Sequence, residues 1–191
     1  MNKIILASGS PRRKEILKQH GIDFDIEVSD VDESCPPMKP YDMVVELSKR
    51  KATAVFKNHP ERIVLGSDTV VAYQDEILGK PKDDEDAFRM ISMLQGNTHQ
   101  VYTGVTICSP QKTISFYECT DVVVFPMTED EIRTYISSGE GRDKAGSYAI
   151  QGDFHKYISS FDGDYENVVG LPGQKVEEIL KLTVDNSPMV C

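Results

Sequence analysis

The chemistry in this chain is carried by a few charged residues set among small and apolar ones. In Ser8-Gly9-Ser10-Pro11-Arg12-Arg13 a strand-like run ends and a helix begins. The backbone N–H groups of a helix start have no intrahelical partners, and the helix dipole there favours an anion. Gly9 permits close approach of a ligand to the backbone, and Arg12 and Arg13 can each fork onto phosphate oxygens. An ordinary capped helix with two surface arginines is the alternative, but cations in a first helical turn oppose the dipole, a defect that a bound anion would remove. Neither G-x-x-x-x-G-K-[ST] nor G-x-G-x-x-G is present.

Asp68 interrupts two apolar β-rich runs, Ile63–Leu65 and Val70–Val71. A carboxylate so placed is costly unless paired, protonated or metal-bound, which makes it a candidate metal ligand or general base. Gly66-Ser67-Asp68 is equally readable as a turn between two short strands. Lys51 follows Leu47 by four residues and precedes Val55 by four, on the inward stripe of a helix; it either snorkels to the rim or points a cation into a cleft. Lys80, in Leu78-Gly79-Lys80-Pro81, is a surface lysine or an ammonium presented by a fixed turn. Glu33 lies in the acidic loop Asp30-Val31-Asp32-Glu33, and with Asp68 it could offer the hard oxygen ligands that Mg²⁺ takes alongside substrate phosphates. Together the cations point to a polyphosphate and the acids to an activated water, the two requirements of phosphate-ester or nucleotide hydrolysis.

These residues need elements to position them. Lys3–Ala7 reads as a buried strand, and Ser10-Pro11 opens a helix that Gly21 closes. Phe24, Ile26 and Val28 alternate with Asp25 and Glu27, predicting a half-buried strand. Asp42 to Lys57 is predicted helical, with Val44, Leu47, Lys51 and Val55 on one face, and Asp83 to Leu94 is predicted helical as well. Ile63–Leu65 and Val70–Tyr73 are predicted as separate strands, and Val101–Ile107 and Ile114–Phe125 as an antiparallel pair. Thr128-Glu129-Asp130-Glu131 forms a capping box for a further helix, and Val176, Ile179 and Leu180 mark a closing one. The class is α/β with a mixed sheet.

The 191 residues carry 21 Lys and Arg against 31 Asp and Glu, a formal charge of −10. That excludes a broad basic surface for nucleic-acid polymers or anionic lipid, while leaving room for small anions. With 39% hydrophobic and 27% charged residues the chain is expected to be a soluble globular protein of one domain, 1–184, followed by a frayed tail, 185–191. No run approaches the ~18 to 20 apolar residues of a membrane-spanning helix. The first residues have too short an apolar stretch for a signal peptide, and a cytoplasmic location is expected. Cys35, Cys108, Cys119 and Cys191 form no C-x-x-C pair and are expected to be thiols.

Six segments follow one another in an order that resembles a known family. They are Ser8–Arg13, Gly66-Ser67-Asp68-Thr69-Val70-Val71, Leu78–Pro81, Gly96–Val105, Asp143-Lys144-Ala145-Gly146-Ser147-Tyr148-Ala149-Ile150-Gln151-Gly152, and Gly163–Pro172. The series is similar to the Maf family of nucleoside triphosphate pyrophosphatases, also called septum-formation inhibitors, from Lys3 to about Leu182. The resemblance implies a single two-lobed α/β domain with a central mixed sheet flanked by helices, a deep cleft, and a fold like that of the inosine triphosphatases. It implies hydrolysis of a nucleoside triphosphate to the monophosphate and pyrophosphate, a divalent cation such as Mg²⁺ or Mn²⁺, and a homodimer. By position, Asp68 matches the family's proton acceptor, and Arg12, Arg13, Lys51 and Lys80 match its phosphate-binding and catalytic cations. Ser8 matches its loop serine, Glu33 an acid tied to metal and catalysis, and Arg12, Thr69 and Gln151 positions tied to nucleotide selectivity. Arg13, Lys80 and Gln151 look like the branch acting on dTTP and UTP; an amide suits a pyrimidine edge because it offers a donor and an acceptor together. Ser67 stands where that family usually has Ala, and Glu166 where it often has an aromatic. A nucleotide-binding regulator of septum formation with little catalysis, and a phosphomonoesterase, are the rival readings.

Overall fold

The computed structural model describes residues 3–184; the expected frayed tail, 185–191, lies outside them. The strands and helices are β1 (Ile4–Leu6), α1 (Pro11–Gln19), β2 (Phe24–Ile26), α2 (Pro40–Phe56), β3 (Val64–Tyr73), β4 (Glu76–Leu78), α3 (Asp84–Leu94), β5 (Thr98–Cys108), β6 (Thr113–Val124), α4 (Glu129–Ser137), β7 (Ile158–Asp162), α5 (Tyr165–Val169) and α6 (Gly173–Val184). They form one seven-stranded mixed sheet in the order β2-β1-β3-β5-β6-β7, with β4 paired to β3 off this path. β1 runs parallel to β2 and β3, and the remaining pairs are antiparallel.

The largest difference from the sequence reading concerns Asp68. The stretch predicted as strand–turn–strand is a single ten-residue strand, and Asp68 lies in its middle, opposite Gly104 of β5. The glycine that mimics a turn serves helix packing. A Cβ at Gly66 would lie 2.4 Å from the Ser48 carbonyl oxygen, and one at Gly104 would lie 2.2 Å from that of Val44. Both carbonyls belong to α2, so the missing side chains let that helix lie directly on the sheet.

Alternation along the strands divides the core. Ile5, Ala7 and Val64 face α2 and pack with its Ala52 and Val55. Ile4, Leu6 and Leu65 face the larger core on the other side, which holds Ile16 and Leu17 of α1, Ile91 and Leu94 of α3, and Val176 and Leu180 of α6. By the same alternation Asp68 points to the α2 side and Thr69 to the other. The edge of β3 away from β5 is covered unevenly. β1 pairs with it only at Val64 and Leu65, and β4 only from Val71 to Tyr73. Between them, from Gly66 to Val70, that edge has no strand partner among the described residues, and the cleft opens there.

Some local expectations need correction. Ser10 stands at the N-cap of α1, but its side chain makes no capping bond. Instead the Ser10 N–H donates to Ser8 Oγ (3.2 Å). Along and beyond β2, at the sheet edge, the alternation partly buries only its first member: Phe24 packs against the core, whereas Ile26 is 47% and Val28, past the strand's end, 65% exposed. The pattern did not anticipate β4, β7 or α5, each no longer than five residues. The capping box at Thr128 and Glu131 is formed in both directions. Among the described residues no helix is long and apolar enough to cross a membrane, and Cys35, Cys108 and Cys119 are free thiols.

Candidate active site

A cleft of about 820 Å³ opens at the uncovered edge of β3 and draws on both faces of that strand. Ser8, Arg12 and Arg13 reach it from the β1–α1 turn, Lys51 from α2, Glu33 from the preceding loop, and Lys80 from the segment after β4. Asp68 and Thr69 line it from β3. Of the residues read as binding or catalytic in the sequence, Gly9 and Gln151 do not line it; the Gln151 side chain is exposed, in the turn that follows Ile150.

At the centre Lys51 Nζ donates to Asp68 Oδ1 (2.7 Å) and lies 3.1 Å from Glu33 Oε1. The Lys51 and Asp68 side chains are each only 12% exposed, whereas Glu33 is 60% exposed. A carboxylate placed mid-strand, where β1 has ended and α2 supplies a lysine, is thus paired rather than left bare. Lys51 occupies the position read from the helical stripe, with Val44, Leu47 and Val55 of that stripe buried in the same helix.

The two arginines differ. Arg13 is a tie-bar: Nε donates to the Gly170 carbonyl (2.9 Å), Nη1 to Ser8 Oγ (3.1 Å) and the Ser67 carbonyl (2.9 Å), and Nη2 to Thr69 Oγ1 (3.1 Å). The Ser67 carbonyl lies on the β3 edge that β1 leaves open, so the guanidinium takes the place of a strand partner. Burial draws the Arg13 pKa down, opposed by the nearby Asp68. Thr69 Oγ1 also shares a hydrogen bond with Thr103 Oγ1 (2.9 Å), and Thr103 Oγ1 donates to the Asn167 carbonyl (2.9 Å). Arg12 is desolvated, which lowers its pKa, and its stabilising neighbour is Asp143, another residue of the cleft. No acidic side chain occupies the first turn of α1, so no carboxylate of that turn competes with an anion for its N–H groups.

Asp143, Thr103 and the Gly170 carbonyl were not assigned roles from the sequence. All three fall inside the quoted segments, but their part depends on contacts between distant residues, such as Arg13 with Gly170 and Thr69 with Thr103. A second concavity, of about 530 Å³, lies on the outer side of α2. Its Arg50 is committed to Glu46 Oε1 and to the carbonyls of Asp32 and Ser34.

Among the described residues no group of three or more His, Cys, Asp or Glu side chains converges as a metal cage. The two carboxylates that meet at Lys51 fit the other mode open to a small hard cation, one or two protein oxygens completed by substrate phosphates and water.

An α/β sheet that presents a cation-rich turn and a paired carboxylate at an uncovered strand edge defines a nucleotide-hydrolase type of architecture. Its overall fold is similar to that of the Staphylococcus aureus Ham1 protein, with a TM-score of 0.52 at 15% identity, covering 95% of this chain and all of that one. Residues 3–183 match the family described as Maf-like protein, and the chain belongs to that family. It is 49% identical over 187 residues to a dTTP/UTP pyrophosphatase of Bacillus cereus strain G9842, covering 97% of this chain and 98% of that protein. It is 48% identical, with the same coverage, to a dTTP/UTP pyrophosphatase of Bacillus thuringiensis subsp. konkukian.

Proposed function

We propose that this protein hydrolyses dTTP and UTP, and modified pyrimidine nucleoside triphosphates, to the monophosphate and pyrophosphate, and that its action on the modified ones keeps non-standard nucleotides from being incorporated. The observation that carries this reading is the Glu33–Lys51–Asp68 group, placed beside the arginine turn in one cleft. The name of the Bacillus relatives, at nearly half identity over nearly full length, supports the choice of substrate.

In this mechanism Arg12, the N–H groups at the start of α1, Lys51 and Lys80 bind the triphosphate. Arg13 holds Ser8, Ser67 and Thr69 in register, which fixes the turn on which the phosphates rest. Asp68 accepts a proton from the water that attacks the α-phosphorus, and pyrophosphate leaves. Lys51, already at Asp68, stabilises charge developing on the phosphoryl oxygens. Asp68 and Glu33 are the residues that would hold Mg²⁺ or Mn²⁺, which when bound neutralises phosphate charge and lowers the pKa of water. Thr69 and Gln151 contribute to base selection, Gln151 from the rim. The enzyme acts as a homodimer in the cytoplasm.

The test is a panel of common and modified nucleoside triphosphates, with pyrophosphate and orthophosphate measured separately. Release of pyrophosphate, fastest from dTTP and UTP, supports the proposal. Release of orthophosphate alone, or tight binding without turnover, contradicts it. Size-exclusion chromatography with light scattering checks the dimer.

A further inference from the structure

A polar pair sits in the apolar core behind the cleft and has no part in the mechanism above. His99 of β5 and Tyr148 are 0% and 4% exposed. His99 Nε2 and the Tyr148 hydroxyl are 2.6 Å apart, and the two rings meet edge to face at 5.3 Å. Among the described residues the buried His99 Nδ1 has no hydrogen-bond partner, and the ring's polar attachment within them is to Tyr148. Burial lowers the His99 pKa to about 4, which keeps the imidazole neutral at physiological pH. An imidazole with one orphaned nitrogen is a costly way to fill a core position that a leucine could fill. The arrangement becomes intelligible if the orientation of Tyr148 matters, because buried polar contacts fix a geometry that apolar packing leaves loose.

Tyr148 is a wall of the cleft. The backbone turns sharply just before it, with positive φ at Gly146 (68°) and Ser147 (61°). The Gly146 N–H donates to the Gly79 carbonyl (3.1 Å), beside Lys80. The Tyr148 ring also packs on Phe154, with centroids 4.8 Å apart. With Tyr148, the cleft is lined here by Val71, Val101, Ile150 and Val168, all apolar. Val71 is three residues beyond Asp68 on β3, about 10 Å along an extended strand. That separation suits a nucleoside whose α-phosphate lies at Asp68.

We propose that this apolar end of the cleft seats the nucleoside, that Tyr148 is a specificity-determining wall of that seat, and that His99 is a positioning residue acting through the Tyr148 hydroxyl. The proposal rests on the reading of the cleft as a nucleoside triphosphate site. Its test separates the two ends of the cleft by measuring the affinity of thymidine monophosphate and of inorganic pyrophosphate calorimetrically. The proteins are wild type, His99→Leu, Tyr148→Phe, the double variant and His99→Gln. His99→Leu and Tyr148→Phe each weaken thymidine monophosphate about tenfold and leave pyrophosphate unchanged. The double variant is no weaker than either single one, since both remove the same bond, and His99→Gln, which offers both a donor and an acceptor, recovers most of the affinity. In turnover the loss falls on KM rather than kcat.

Unchanged monophosphate affinity in the folded variants, or a loss shared equally by pyrophosphate, overturns the proposal. If His99→Leu does not fold, Tyr148→Phe, which keeps the ring and its packing, carries the test alone. Monophosphate binding does not require turnover, so a wild-type protein that binds the monophosphate but releases no pyrophosphate refutes the catalytic reading and leaves this one to be decided on its own result.

Discussion

Two neighbouring residues of β3 illustrate how one strand serves binding and chemistry at once. Asp68 faces α2 and meets Lys51; Thr69 faces the other way and is held by Arg13 and Thr103. Asp68→Asn keeps the shape and leaves Lys51 its contact with Glu33, so the fold should persist. Loss of the general base is expected to lower turnover by ~10² to 10⁴, measured as pyrophosphate release by a variant whose melting temperature is close to wild type. Arg13→Lys is the contrasting case. A lysine cannot reproduce four bonds made from one planar fork. The expected loss is about 2 kcal/mol or more of stability, read from chemical denaturation, together with a rise in KM as the Ser8 turn loosens. Wild-type stability in Arg13→Lys would show that the tie-bar is dispensable.

At the level of elements, the site depends on how closely α2 lies on β3 and β5. Gly104→Ala would place a methyl carbon 2.2 Å from the Val44 carbonyl oxygen, a contact that only movement of the helix relieves. Such overpacking costs about 1 to 3 kcal/mol or more, and because the same helix carries Lys51, activity should fall along with stability. Full activity in Gly104→Ala would mean that α2 can withdraw without disturbing Asp68. The far end of α1 is held by charge. His20 Nε2 lies 2.9 Å from Glu166 Oε2, and Nδ1 lies 3.0 Å from Glu177 Oε2. These carboxylates raise the His20 pKa, chiefly through the hydrogen bond to Glu177. The folded state therefore holds the proton more tightly than the unfolded one. The stabilisation is fully present below the ordinary histidine value of about 6.5 and disappears as pH rises through the higher folded value. Urea midpoints of wild type should decline as pH rises through that value, and the His20-dependent part of the decline should be absent in His20→Gln. Identical pH profiles for the two proteins would remove the clamp from the account.

At the scale of the whole molecule, the elements long enough to show a period were legible in the sequence, and so was the inward placing of Lys51. Isolated chemistry was legible too, since a carboxylate between two apolar runs is conspicuous whatever its conformation. The conformation itself was not, because Gly66-Ser67-Asp68 has turn composition for a tertiary reason: the glycine makes room for a helix contributed by residues 40–56. Nor could the sequence reveal that the guanidinium of Arg13 is hydrogen-bonded to Gly170, Ser8, Ser67 and Thr69 while Arg12 has Asp143 as its charged neighbour, because adjacent arginines read alike until their distant partners are in place. The short elements β4, β7 and α5 exist through pairing and packing with longer ones and carry little period of their own. The overall charge of −10 takes on a more specific meaning in the fold. The positive groups that matter are gathered at one uncovered strand edge of an acidic molecule, a setting that attracts a small polyphosphate locally and repels a polyanionic chain.

The central claim is that a water deprotonated at Asp68 attacks the α-phosphorus of a nucleoside triphosphate. Hydrolysis of dTTP in ¹⁸O-labelled water, with both products analysed by mass spectrometry, tests it most directly. The expected outcome is label in thymidine monophosphate and none in pyrophosphate. Label in pyrophosphate, or its appearance in orthophosphate with the diphosphate as the other product, would contradict it.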